Sequence, residues 1–441
     1  MAPLSTTDNT TDNSQNVAPD TRPLSGAQYI SMGNLTSNRS YWQPRFDLSG
    51  TVDSNPAESP SSSSWGTWTS FLGGVDIQRT AGTSDMKLSY TGGGMYSNEA
   101  DVPSGNMEEL GVTEKITFRR SVLALIDQFS YLPQASFGFG GVGGLPLSGS
   151  GSTGLSPGFT AGQSILTGQG QNLSNASVLQ LETFVTPRSS ITMTGAYSLL
   201  HFLGSNLNDS GDVTFQGGYN YQLTRHDTVA ATYAFSDFRY SSLNESIYTH
   251  SIEGSYGRLV SGRLAFQIAA GPELAIFNQG GGTSGGTVGG PGASNGSSTH
   301  LYWTLNSSLN YQYQRTRMGV SYWHGISEGS GVLAGAQTDM ATGSLTRQMS
   351  RTFSSGLSAG YSRNASLQLA GSTASGENYD YWFAGASFAR PFTETLALTL
   401  SYQMQYQTSN ATFCIGPACG MSVVRNLISV GLSWHERPLL F

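Results

Sequence analysis

Residues able to do chemistry are present in this chain, but their spacing gives them nothing to do together. The six histidines, His201, His226, His250, His300, His324 and His435, lie far apart, without the H-E-x-x-H or similar spacing that brings two imidazoles to one metal. No metal site is expected. Gly138-Phe-Gly-Gly-Val-Gly143 satisfies G-x-G-x-x-G by count. A phosphate cradle needs a strand before that run and a helix after it, and here the flanks are Gly/Ser-rich, so the run reads as loop. Serine is abundant enough to furnish a Ser/His/Asp set, yet no spacing selects one. Neither a catalytic residue nor a cofactor is expected, and an enzyme is disfavoured. Cys414 and Cys419 stand in Phe-Cys-Ile-Gly-Pro-Ala-Cys-Gly, with two turn formers between them. An oxidised pair fits that loop, and two unpaired thiols are the alternative.

Composition says what replaces the chemistry. Only 11% of the 441 residues are charged, against roughly 25% in ordinary soluble domains, and Ser, Thr, Asn, Gln and Gly fill the deficit. Aromatic residues make up 11% of the chain, too many for wholesale disorder. No apolar run approaches the ~18 residues of a spanning helix; Val122 to Ile126 is among the longest. A formal charge of −7, with Lys87 and Lys115 the only lysines, leaves no basic footprint for nucleic acid. The start, Met1-Ala-Pro-Leu-Ser-Thr-Thr-Asp, has neither the basic nor the apolar region of a secretory signal. A signal peptide is expected to have been removed or not included.

From Tyr41 onward the dominant period is two. In the stretch 396–407, Leu396, Leu398, Leu400, Tyr402, Met404 and Tyr406 share one face, and Thr399, Ser401, Gln403, Gln405 and Gln407 the other. The same alternation sets Val213, Phe215, Tyr219 and Tyr221 against Thr214, Gln216, Asn220 and Gln222. It also sets Leu301, Trp303, Leu305, Leu309 and Tyr311 against Asn306, Asn310, Gln312 and Gln314. Strands are expected near 41–53, 65–79, 85–96, 108–119, 121–133, 175–186, 191–203, 211–224, 228–240, 246–259, 263–277, 299–314, 317–326, 333–348, 351–363, 377–390, 395–408 and 423–435. Tight polar turns and long Gly/Ser/Asn-rich connections alternate strictly between them. Asp339, Glu114 and Asp127 interrupt the alternation of 333–348, 108–119 and 121–133, so about eighteen strands are expected, with sixteen as the alternative.

A soluble sandwich would carry Lys and Glu on its wet face, and those charges are missing. If the apolar face meets lipid and the polar face encloses water, neutral amides and hydroxyls suffice. Aromatics crowd the strand ends, at Tyr41-Trp42, Phe238 to Tyr240, Tyr322-Trp323, Tyr379 to Phe383 and Trp434, where interfacial girdles would lie. The final stretch, Ile428 to Trp434, leads through His435-Glu-Arg-Pro438 to a terminal Phe441. With the alternating connections, this resembles a Gram-negative outer-membrane β-barrel of the porin-like kind. The resemblance implies an all-β fold, a transmembrane antiparallel up-and-down β-barrel with short periplasmic turns and long extracellular loops, in the bacterial outer membrane. Residues 1–40 would form a flexible periplasmic segment and residues 41–441 the barrel. Trp434 and Phe441 would carry the signal read by the barrel-assembly machinery. The connection 134–174 would be the third extracellular loop, which in general porins folds into the barrel; a mobile lid is the alternative.

The function implied is passive diffusion of small hydrophilic solutes, with saccharides as candidates. By parity the wall would include Gln216, Asn220, Gln222, Asn306, Asn310, Gln312, Gln403 and Gln405, with Glu253, Glu273 and Arg425 as sparse charges. Expected partners are outer-membrane lipid, the assembly machinery and the solutes, with no nucleic acid; a homo-oligomer is left open. The alternatives are a closed barrel serving as adhesin, assembly or export partner, and a secreted soluble all-β surface protein.

Overall fold

The alternating stretches become strands, and each strand pairs with its neighbours in sequence. The computed structural model describes residues 23–27, 40–56, 65–98, 104–133, 165, 171–203, 207–241, 245–279, 297–329, 331–367, 376–410 and 422–441. The strands are β1 (Tyr41–Asp53), β2 (Gly66–Ala81), β3 (Ser84–Ser97), β4 (Gly105–Thr117), β5 (Ser121–Leu132), β6 (Gln171–Thr186), β7 (Ser189–Leu203), β8 (Ser210–Gln222) and β9 (Asp227–Tyr240). They continue as β10 (Glu245–Ser261), β11 (Leu264–Gln279), β12 (Ser297–Tyr313), β13 (Thr316–Ser327), β14 (Ala336–Ser350), β15 (Phe353–Ser366), β16 (Asn378–Pro391), β17 (Leu396–Ser409), β18 (Ser422–His435) and β19 (Leu439–Leu440). All pairings are antiparallel, and β1 bonds to β2 on one side and to β18 on the other. The ladder therefore closes on itself, with Phe46 opposite Trp434 and Val52 opposite Ile428 at the seam.

Eighteen long strands form the ring, rather than sixteen. The three charges that interrupted the pattern face outward and are held by neighbours on the same surface. Asp339 accepts from Tyr322 Oη at 2.6 Å and meets His324 Nδ1 at 2.7 Å. Glu114 accepts from Ser84 Oγ at 3.2 Å, and Asp127 from the Ser177 hydroxyl. A side-chain hydrogen bond on the strand surface leaves the main-chain ladder untouched, so a charge in the pattern need not end a strand. The chain end repeats the lesson. The strand stops at His435, and the ladder resumes after Pro438 with Trp42 opposite Leu439 and Tyr41 opposite Leu440. The interruption is local because Pro removes only one donor.

Short and long connections segregate to opposite ends. At a short turn between β8 and β9, Thr224 Oγ1 donates to Asp227 at 2.6 Å, and Tyr256 Oη donates to the same carboxylate at 2.8 Å. These two hydrogen bonds, with Arg258 beside them, hold the Asp227 carboxyl below its usual range. Both ends of the ring, Tyr41 and His435, lie at this short-turn end.

The two faces differ as the parity required. Leu301, Trp303, Phe215 and Tyr402 are exposed on the convex side, with Leu301 at 72% and Phe215 at 60%. In the long-loop half of that side, outward tyrosines reach one strand over to polar groups. Tyr322 Oη donates to Asp339 at 2.6 Å, and Tyr361 Oη donates to Asp380 at 2.7 Å. Such residues, apolar in body and polar at the tip, suit a boundary between hydrocarbon and water. The aromatics grouped at strand ends in sequence do not all join them. Tyr322, Trp382 and Trp434 face outward, whereas Phe238, Tyr240, Tyr381 and Phe383 are buried on the inner side. Adjacent residues of a strand necessarily point to opposite faces, so half of each run had to turn inward.

A closed ladder has no edge for detergent to open, so the folded chain is expected to run faster on cold SDS gels than after boiling. Identical mobilities before and after heating would contradict closure in solution.

Candidate functional site

The inner face is where the polar half of every alternation converges. On β17, Gln403 is 7% exposed and Tyr402 44%, so the inside and outside of this strand are those the sequence assigned. Asn306, Asn310 and Gln312 share the inner face of β12 with the buried Thr304 and Ser308. Gln222 also has inward parity but lies exposed at the short-turn end. Glu253 and Glu273 sit on adjacent strands β10 and β11 of the inner face, and Glu273 is buried. Hydroxyls from Thr304 and Thr249 hydrogen-bond Glu253 and Glu273 respectively.

Two inward arginines, Arg425 and Arg45, are matched with carboxylates rather than offered to the lumen. Arg425 and Asp53 are both fully buried, with Arg425 Nε donating to Asp53 Oδ2 at 2.7 Å and the second guanidinium nitrogen 2.6 Å from the same oxygen. The guanidinium lies 5.6 Å from the centre of the Trp68 ring, beside Leu427 and Met95. Arg45 makes the same kind of pair with Asp76 at 3.1 Å and also reaches the Thr91 hydroxyl. A desolvated charge is tolerated only when paired, and each pair cancels its own field. Those two arginines therefore add little net field, and Glu253 and Glu273 remain as inward carboxylates among the amides and hydroxyls.

Three segments reach into this interior from the connections and the N-terminal side. Ile165, within the long connection between β5 and β6, is buried against Leu333, Ala336 and Tyr379. Those residues belong to the β13–β14 connection, β14 and β16, on the opposite side of the ring. The β13–β14 connection in turn crosses to β7, where Gly331 O accepts from Asn208 N at 2.7 Å and Gly331 packs on Phe202. Gly331 has φ of +78°, and a Cβ there would lie 2.2 Å from the Phe202 ring, so glycine meets both the backbone and the space requirement. The same connection carries Ala334 against Phe238, Tyr240, Ile247, Phe277 and Leu367. Apolar residues thus gather inside the barrel at its long-loop mouth.

The third segment is Pro23–Ala27, part of the stretch expected to be a flexible leader. It lies inside the ring, and Pro23, Leu24, Ser25 and Ala27 are buried. Asn220 Oδ1 accepts from Ser25 N at 3.1 Å, and Asn220 Nδ2 donates to Ser25 Oγ at 2.7 Å. Gln216 Nε2 donates to Ser25 O at 3.0 Å, and Ala27 N donates to Gln180 Oε1 at 2.9 Å. Ala27 also packs on Ile126, Val178 and Ala196 of β5, β6 and β7. Parity would have named Gln180 as inward. Nothing in the sequence announced that residues 23–27 would meet it. The other residues before Ser40, and Cys414 and Cys419, lie outside the described residues.

No family model matches this chain, and no curated protein matches it. Among solved structures it is similar to OccAB3 of Acinetobacter baumannii, with 10% identity and a TM-score of 0.43 over 90% of this chain and 99% of that one. It is similar to OpdL of Pseudomonas aeruginosa, with 12% identity and a TM-score of 0.41 over 91% of this chain and 99% of that one. It is also similar to the outer membrane protein OpdK of the same organism, with 8% identity and a TM-score of 0.39 over 91% of this chain and 99% of that one.

The facing of β17 yields a paired test. Tyr402→Arg is expected to destabilise the assembled barrel by about 2–4 kcal/mol if the side chain meets mid-bilayer lipid, whereas Gln403→Arg should assemble and change ion selectivity. Urea-unfolding midpoints in vesicles and reversal potentials across a planar bilayer read the two effects. The reverse pattern would place the wrong face toward lipid.

Proposed function

We propose that the chain is an outer-membrane, porin-like channel through which small hydrophilic solutes diffuse passively, without covalent chemistry. The observation that carries this reading is the contrast of faces on a closed ladder: large apolar side chains outside, amides and hydroxyls within. A water-soluble protein exposing Leu301, Trp303, Phe215, Ile252 and Met193 over one continuous surface would aggregate, which weighs against a secreted all-β surface protein. Spanning hydrocarbon, the same surface is solvated by lipid, and closure supplies every main-chain hydrogen bond there. The tyrosine belt on the long-loop half fits the outer boundary of such a layer, with short turns toward the periplasm.

Selectivity would follow from radius and wall chemistry. With Arg425 and Arg45 paired to carboxylates, the wall offers mostly neutral hydrogen-bonding groups, with Glu253 and Glu273 as sparse charges, suited to small polar solutes such as saccharides. Gln216, Asn220, Asn306, Asn310, Gln312 and Gln403 would line the path, with Gln222 at its short-turn rim; Gln405 shares their face but is fully buried. Trp434 and Phe441 would present the closing segment to the barrel-assembly machinery. The apolar cluster at the long-loop mouth favours one second reading, a barrel shut there that acts as adhesin, assembly or export partner.

Deleting residues 141–170 separates the two. Among the described residues the ladder of β5 ends at Leu132 and that of β6 begins at Gln171, outside the excised stretch, so the barrel should fold. If Ile165 and its neighbours narrow the path, single-channel conductance in a planar bilayer should rise about twofold or more. Unchanged conductance in a heat-modifiable, correctly assembled variant would put the constriction elsewhere. No conductance in either form would favour the closed-barrel reading.

A further inference from the structure

The segment at 23–27 is held in a way that specifies a ligand class. Among the described residues, the wall makes five hydrogen bonds to it, and four of them go to main-chain atoms. Asn220 and Gln180 accept from the Ser25 and Ala27 N–H groups, while Gln216 and Gln267 donate to the Ser25 and Leu24 carbonyls. The exception is Asn220 Nδ2 on Ser25 Oγ. Side-chain amides carry a donor and an acceptor on one rigid group, so a set of them can read the alternating N–H and C=O of a peptide whatever its side chains.

The wall is also shaped for that occupant. A Cβ on Gly218 would lie 2.2 Å from Ser25 Cβ, so the missing side chain on β8 is the seat of Ser25. Asn220 is set by a further bond to Thr192 Oγ1 at 3.0 Å, which holds its amide ready. The segment supports its own bend through Gly26 N to Pro23 O at 3.0 Å, in a Pro-Leu-Ser-Gly turn. None of the described residues before Tyr41 enters the strand ladder, so the barrel does not depend on this contact for pairing.

We propose that the inner face of β6, β8 and β11, built from Gln180, Gln216, Gly218, Asn220 and Gln267, is a peptide-backbone binding site, and that residues 23–27 occupy it as a tethered, displaceable plug. The binding site stands on the contacts alone; its role as a plug rests on the channel reading. Twelve residues, 28–39, join Ala27 to Ser40 at the rim. A tether of that length holds its ligand at roughly millimolar effective concentration, so a site with a dissociation constant of about a tenth of that stays about nine-tenths occupied. A peptide entering from outside competes on equal terms only near that concentration.

Two measurements test this, one free of any assumption about conduction. In detergent, a fluorescent peptide of residues 20–30 is titrated against the full chain, a chain lacking residues 1–30, and that shortened chain carrying Gly218→Ala. Heat-modified mobility certifies that each is folded. The peptide should bind the shortened chain with a dissociation constant of about a tenth of a millimolar or tighter, and at least tenfold more weakly to the full chain and to the Gly218→Ala form. Asn220→Ala combined with Gln180→Ala should weaken it similarly. No binding to the shortened chain at about ten times that concentration, or undiminished binding to the Gly218→Ala form, would overturn the site. In planar bilayers the shortened chain should conduct about twofold or more above the full chain and be blocked again by the peptide. Equal conductance with the peptide bound would overturn the plug. A chain that binds the peptide yet conducts in no form upholds the site and overturns the channel reading instead.

Discussion

Everything in this molecule follows from the cost of leaving a main-chain N–H or C=O unpaired where no water can reach it. An open sheet of seventeen ladders would still have two unsatisfied edges; the eighteenth, between β1 and β18, removes both. Once the ladder is complete the side chains are released from any duty to hold the backbone. They are then free to be apolar on one face and polar on the other. The low charge of the chain, its lack of helices among the described residues and its strict alternation of connection lengths all express that one requirement.

Closure also creates an inside that is neither core nor surface. Residues there cannot all be apolar if water is to enter, and cannot be freely charged where they are crowded. The barrel answers with two populations. Amides and hydroxyls make up much of the inner face, and among the charges inside some are locked together, as in Arg425 with Asp53 under Trp68, while Glu253 and Glu273 are met by hydroxyls. Removing one partner of such a pair typically costs about 3–5 kcal/mol, since the other is left buried and uncompensated. Their contribution is thus to shape and neutrality. At the long-loop mouth the apolar inner residues, Phe238, Tyr240 and Phe277 among them, have found one another and the crossing connections instead.

The strand pattern was legible because a period of two survives any local exception, and each of the eighteen expected strands occurs with shifts of a few residues at its ends. β6 shows the largest shift, beginning at Gln171 rather than near 175, because Gln171, Asn172 and Ser174 resemble a polar loop. Facing was legible too: Gln403 inward and Tyr402 outward follow from parity once one strand is oriented. What parity could not supply was the partner of each inward group. That Arg425 would meet Asp53 depends on which strands meet at the seam, and that Asn220 would hold Ser25 depends on a segment without periodicity. Both are facts about chain tracing across nearly 200 residues or more, for which local pattern carries no information.

The seam has a consequence for the order of events in assembly. Ser49 faces Gly431, almost the whole length of the chain away, so this pairing carries the largest loop-closure entropy of any in the ring. Every other ladder joins strands that are neighbours in sequence and can zip as a growing, curling sheet. The first strand must wait with its outer edge open until the last arrives. Since the segment at 23–27 is carried by that waiting strand, it has a side entrance to the interior only while the seam is unzipped. Afterward it is tethered to the short-turn end, where Tyr41 stands. The act that completes the wall is therefore also the act that turns an N-terminal tail into an enclosed one.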